Sequence, residues 1–275
     1  NPGDHHSRMF QARNLLMRGP HFSNGYFANG IVVKNAWYPM LDNVKITSEY
    51  GDSHGKMAAG FALLDCYSPL VDKCYFWGGA EYGLLYRSEI DSEDGIVSDC
   101  YFVGQDTGIR VRLSARTDGW GEPAFHLTDS HIHYKVKGLA LKGIRQGFVS
   151  GNLFYCFNRA ASRWHADPDS VSSYTSKDIE CDAVNDFIVS HNQFAEPASP
   201  KRVCIDILPN SGNLLIDGNI FNMDGTAIRN RSQVSSRCIG NVYTGSPDFT
   251  KSADGANALI RYVDPNGTLK TLDFE

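Results

Sequence analysis

A short unit recurs nine times along the chain: an apolar residue, two small or polar residues, an anchor, any residue, then a second apolar residue. It reads Ala12-Leu15-Met17, Leu41-Val44-Ile46, Val71-Cys74-Phe76, Val97-Cys100-Phe102 and Leu127-Ser130-Ile132. It continues as Val149-Asn152-Phe154, Val189-Asn192-Phe194, Ile216-Asn219-Phe221 and Cys238-Asn241-Tyr243. A second apolar run lies between these units and opens on a small residue, as in Gly30-Ile31-Val32-Val33, Gly60-Phe61-Ala62-Leu63, Gly83-Leu84-Leu85, Gly108-Ile109-Arg110-Val111, Gly138-Leu139-Ala140-Leu141 and Ala227-Ile228. The runs are short, β-branched or aromatic, and bounded by Gly, Asn, Asp and Ser, which marks strands between turns. Helical repeats would need a 3.6-residue period, and leucine-rich repeats denser, evenly spaced leucines.

Successive anchors lie 22 to 40 residues apart. Strands that return to one place after each turn stack in parallel about 4.8 Å apart, and like side chains then pile up inside. The pattern therefore predicts an all-β, right-handed, single-stranded parallel β-helix with irregular loops. Asn152, Asn192, Asn219 and Asn241 are expected to form an internal amide ladder, and Cys74 over Cys100 a small apolar stack. The longest loops fall at Ser114–Pro123 and Ala160–Thr175. After Tyr243 the repeat fades, and Asp264-Pro265-Asn266-Gly267 reads as a turn between two short strands. Residues 1–245 are expected to form the solenoid, and 246–275 a C-terminal β cap or trimer-contact segment.

Composition narrows the partners. A net charge of −5, from 26 basic and 31 acidic residues evenly mixed, argues against nucleic acid. No apolar run approaches the roughly 20 residues of a membrane helix, so membrane insertion is not expected. The seven cysteines include no CxxC pair, and buried free thiols, with neither metal nor disulfide framework, are the expectation. No cofactor is expected either.

The stretch from Phe10 to Gly19 resembles an early coil of the β-helical body of bacteriophage tailspikes and related pectate-lyase-like proteins. The Asn–aromatic units resemble its later coils, and the likeness spans about residues 8–245. It implies a homotrimer that recognises bacterial surface polysaccharide as host receptor and often cleaves it. It further implies a location on the virion tail, after synthesis in the host cytoplasm. A chain beginning at Asn1 fits the loss of a preceding virion-attachment part. No catalytic motif of the family is present, so the resemblance assigns no catalytic residue. His165-Ala166-Asp167-Pro168-Asp169 is only faintly similar to the DPH-type motif of alginate epimerases.

Candidate chemistry comes from the repeat itself. Glycoside hydrolysis needs two carboxyl groups, about 5–5.5 Å apart for retention and 6.5–9.5 Å for inversion. Counted from the anchors, Glu49, Glu81 and Asp106 fall at nearly one position on three successive coils. Glu81 and Asp106 are thus the expected catalytic pair, with Glu49 as the third group. Trp77, Tyr82, Trp120 and Trp164 are expected to stack on sugar rings, with Tyr50 and Tyr86 nearby. Arg110, Arg112 and His126 are expected to bind acidic groups. Glu89, Asp91, Glu93 and Asp94 read as a polar turn. A lyase on an acidic glycan would instead use Arg110, His126 and Tyr134 to hold and deprotonate a uronate. A spike or adhesin without chemistry is the remaining alternative.

Overall fold

The computed structural model describes residues 9–18, 29–47, 57–89, 93–114, 123–156, 176–195, 202–222, 225–232, 234, 236–244, 247–251, 259–263 and 269–273. These form twenty-six strands and no helix. The strands stack in parallel from coil to coil, except for a last antiparallel pair, Leu259–Val263 with Leu269–Asp273. The chain is the expected parallel β-helix.

Each full coil contributes to three faces. The first holds strands such as Leu70–Asp72 and Gly95–Ser98; the second holds Tyr75–Trp77 and the start of Tyr101–Leu113. The third holds Ala80–Ser88 and the end of Tyr101–Leu113. The register matches the sequence repeat column by column. On the first face Leu41, Val71, Val97, Leu127, Val149, Val189, Ile216 and Cys238 stack inward. On the second, Ile46, Phe76, Phe102, Ile132, Phe154, Phe194, Phe221 and Tyr243 do the same. The last four rings stack nearly flat, with centroids 4.8–5.4 Å apart.

The bend between the first two faces has one recipe. The residue before each anchor takes positive φ in all nine coils: Asn14, Asn43, Lys73, Asp99, Asp129, Gly151, His191, Gly218 and Gly240. Asn, Asp and Gly tolerate this conformation at least cost. From Cys100 to Asn241 the reversal points the anchor inward, where it accepts the backbone N–H of the preceding coil's anchor. Asn152, Asn192 and Asn219 each donate N–H to the side-chain oxygen of the next Asn, at 2.9–3.0 Å. Their Nδ2 groups bond the same oxygens and a carbonyl, so each buried amide is satisfied. Below them, Ser130 N–H donates to Asn152 Oδ1 and Cys100 N–H to Ser130 Oγ. Cys74 N–H reaches the Cys100 sulfur at 3.4 Å, and the Cys74 thiol bonds Leu41 O. The two cysteines are polar anchors of the same ladder rather than an apolar stack. All seven cysteines are buried free thiols.

The third face begins with the glycine row Gly30, Gly60, Gly83, Gly108 and Gly138. A Cβ at Gly83 would lie 2.5 Å from the carbonyl of Gly108 and 2.7 Å from Phe102. The row lets the third strand close down onto the phenylalanine column. It ends at Asp178, where the interior turns polar. Beyond Tyr243 the parallel stacking goes on, with Pro247–Lys251 on Gly225–Asn230 and Leu259–Val263 on Arg237–Thr244.

Candidate functional site

Four of the candidate residues, Glu81, Tyr82, Asp106 and Arg110, come together on the outside of the third face. Tyr82 pairs with Thr107, so Glu81 and Asp106, each one residue earlier, occupy equivalent places on adjacent coils. Parallel strands set their backbones about 4.8 Å apart, and both side chains are exposed. Glu81 accepts a hydrogen bond from the Tyr82 hydroxyl. The Lys135 ammonium lies 3.9 Å from the Asp106 carboxylate. Arg110 sits over the Tyr82 ring, 5.8 Å from its centroid. Burial, with the carboxylate of Glu81, raises the Tyr82 phenol above its ordinary pKa, against a smaller lowering by Arg110. Arg112 points outward two residues beyond Arg110.

Trp77 stands four residues ahead of Glu81, at the outer end of the second face, 44% exposed and edge-on to Tyr75. Glu49, Tyr50, Trp120, Asp91, Trp164, His165, Asp167 and Asp169 lie outside the described residues.

Other expectations are corrected. His126 lies on the first face, against Phe148 at 4.5 Å and across the anchor bend from the second face, so it does not join Glu81 and Asp106. Burial lowers its pKa below the ordinary histidine value. Tyr86 faces inward and donates to Cys66 O. Tyr134 is fully buried and donates to Asp178. Burial and the Asp178 charge push its phenol far up, so it is no base for a lyase. Asp178 itself grips Arg202 with two bonds, 2.9 and 2.7 Å, and neither side chain is exposed.

Two features escaped the sequence reading. One is an outward aromatic surface on the second face. Tyr75, Tyr101 and His131 form a column of tilted rings with centroids 6.1 and 5.5 Å apart. Beside them His133 packs on His131 and edge-on to Tyr155. Burial lowers the pKa of His133 to about 4, with help from His131. The signal was present: these residues flank Phe76, Phe102, Ile132 and Phe154, so strand alternation sends them out. The other is an ion ladder on the third face. Glu180 pairs in register with Asp206. Lys137 bonds Glu180 at 2.6 Å, Lys177 bridges both acids, and Arg229 and Arg231 close on Asp206 at 2.7 and 2.8 Å. Burial pulls both carboxyls up in pKa, but hydrogen bonds from Lys137 and Lys177 to Glu180, and from Arg229 and Lys177 to Asp206, outweigh it and leave both lowered. Two acids held ionised supply no general acid. The ladder is structural.

These features define a parallel β-helix whose outer surface joins aromatic rings, carboxylates and arginines across the corner between the second and third faces. No family model and no curated protein matches the sequence. Solved structures match its fold. A mutant tailspike protein of E. coli bacteriophage HK620, in complex with a pentasaccharide, aligns with 14% identity and a TM-score of 0.56, over 87% of this chain and 45% of its own. PfbA, a surface adhesin of Streptococcus pneumoniae, aligns with 14% identity and a TM-score of 0.53, over 84% of this chain and 59% of its own. At that identity the likeness is one of fold, and the chain spans about half the length of these neighbours.

Proposed function

We propose that the chain is a tailspike-like protein that binds a bacterial surface polysaccharide and cleaves it by endo-hydrolysis. The carrying observation is the placement of Glu81 and Asp106 at equivalent positions on adjacent coils, around one corner from the aromatic surface of Tyr75, Trp77 and Tyr101. Aromatic faces suit the C–H surfaces of sugar rings, and carboxyl groups on strands about 4.8 Å apart suit a retaining pair or, with diverging side chains, an inverting one. A pentasaccharide complex of a protein with the same fold supports the reading.

The second reading is a spike or adhesin that binds without cleaving. Its support is the exposure of both acids: the Asp106 side chain is 51% exposed beside Lys135, whereas a general acid is tuned by burial. The adhesin with the same fold is consistent with it. Incubation with capsule or O-antigen separates the readings: reducing ends for a hydrolase, ultraviolet-absorbing unsaturated ends for a lyase, neither for a binder. Glu81→Gln and Asp106→Asn should each lower cleavage by ~100-fold or more while binding persists; full activity in both removes this site.

Three such chains are proposed to assemble on the virion tail through the outward column of the first face. Met40, Leu70, Ile96, His126, Phe148, Ile188 and Leu215 stack there in register, with Ile96 and Ile188 40% and 41% exposed. Apolar contacts of this height mark interaction surfaces. Segment 246–275 is proposed to close the end of the solenoid and contribute to the same seam. Light scattering tests the trimer.

A further inference from the structure

Resting on the glycan-binding reading, we propose that the polysaccharide is anionic and that its charged group docks on Arg87, Arg110 and Arg112. The register stacks Arg87, Arg112 and Lys142 on three successive coils. Like charges directly opposite one another on neighbouring strands are destabilising. Higher on the same face the cations have partners: Lys137, Lys177, Arg229 and Arg231 all close on Glu180 or Asp206, and Lys142 on Asp182 at 2.6 Å. Among the described residues no carboxylate is bonded to Arg87, Arg110 or Arg112. In a chain of net charge −5, this is the part of the face where an anion from outside completes the pattern.

The geometry suits one. Arg110 and Arg112 point outward from one strand, Arg87 lies opposite Arg112, and guanidinium forks bind carboxylate or phosphate oxygens in pairs. Arg110 also lies over Tyr82, whose hydroxyl holds Glu81, so the cations continue the surface that carries the acids. Arg112 is six residues along the strand from Asp106, at most about 20 Å. The arginines thus run from beside the acids, at Arg110, along the strand to Arg112, so one polymer can reach both.

The test uses the full chain on a panel of purified capsular and O-antigen polysaccharides, acidic and neutral. Binding is expected to acidic polymers, to weaken at raised salt, and to fall ~tenfold or more in the Arg87→Ala/Arg112→Ala double variant. Carboxyl reduction of the bound polymer abolishes binding if the anion is a uronate, and dephosphorylation does so if it is a phosphate. Both arginines are exposed and stacked like-to-like, so the variant is expected to melt no lower than the parent. Binding to neutral polymers, or undiminished binding of an acidic polymer by the double variant, overturns the inference and leaves the glycan-binding reading standing. Binding to no polysaccharide of the panel overturns that reading, and the inference with it.

Discussion

The coils anchored by Cys74 and Cys100 and those anchored by Asn152, Asn192, Asn219 and Asn241 reach one backbone geometry by different chemistry. In the lower coils a sulfur accepts a single N–H at 3.4 Å, and glycines bring the third strand down onto the phenylalanines. From Asn192 upward an amide accepts from the N–H and amide of the anchor below, and donates to a carbonyl and, below Asn241, to the amide above, at 2.9–3.0 Å; flat-stacked rings accompany it. The bend forms even before the apolar anchors Leu15 and Val44, and from Cys100 on an inward group takes the N–H. How firmly it does so varies along the axis, so the two ends should differ in their response to the same kind of substitution.

The largest effect is expected where the two regimes meet. There the glycine row gives way to Asp178 and its partner Arg202. Arg202→Met leaves a buried carboxylate without its cation and should cost about 3–5 kcal/mol in urea unfolding. A cost below ~1 kcal/mol would show that Tyr134 alone suffices. Next, Asn219→Ala strips the acceptor from both Asn192 donors and should cost about 2–4 kcal/mol, against about 1 kcal/mol for Cys100→Ala. Equal losses would erase the distinction between the halves.

A smaller effect concerns pH. His133 is neutral in the fold, with its pKa lowered to about 4 from an ordinary 6.5. Between those values the unfolded chain takes up the proton, so stability falls as pH drops from 6.5 toward 4. His133→Phe should flatten that limb of the melting-temperature profile; an unchanged slope assigns it elsewhere. Last, His191 adopts the left-handed bend that its neighbouring coils give to glycine. His191→Gly should stabilise by about 0.5 kcal/mol, strain relief exceeding the entropy of glycine.

The fold was legible because the anchor is a local signal: in seven of nine coils Asn, Asp or Gly precedes the anchor, with an apolar residue on either side. Glu81 and Asp106 could be aligned because each precedes its glycine by two residues, and the glycine row is in register. His126 was misplaced because proximity in sequence does not show which side of the anchor bend a residue occupies. Tyr86 and Tyr134 were misread where alternation sends them inward. The partnership of Glu180 and Asp206 was hidden by the 40-residue step from Asn152 to Asn192, which obscures where the third strand resumes. Glu49, Trp120 and Trp164 fall outside the described residues.

Steps of 22 to 40 residues all end on the same left-handed bend without shifting the inward columns of the first and second faces from Leu41 to Tyr243. The periodicity thus belongs to space and not to chain length, and each turn is free to lengthen its outer excursion independently. A lineage under pressure to change what it grips can swap those excursions one at a time, while the inner staircase, touching only the tread above and the tread below, registers no difference.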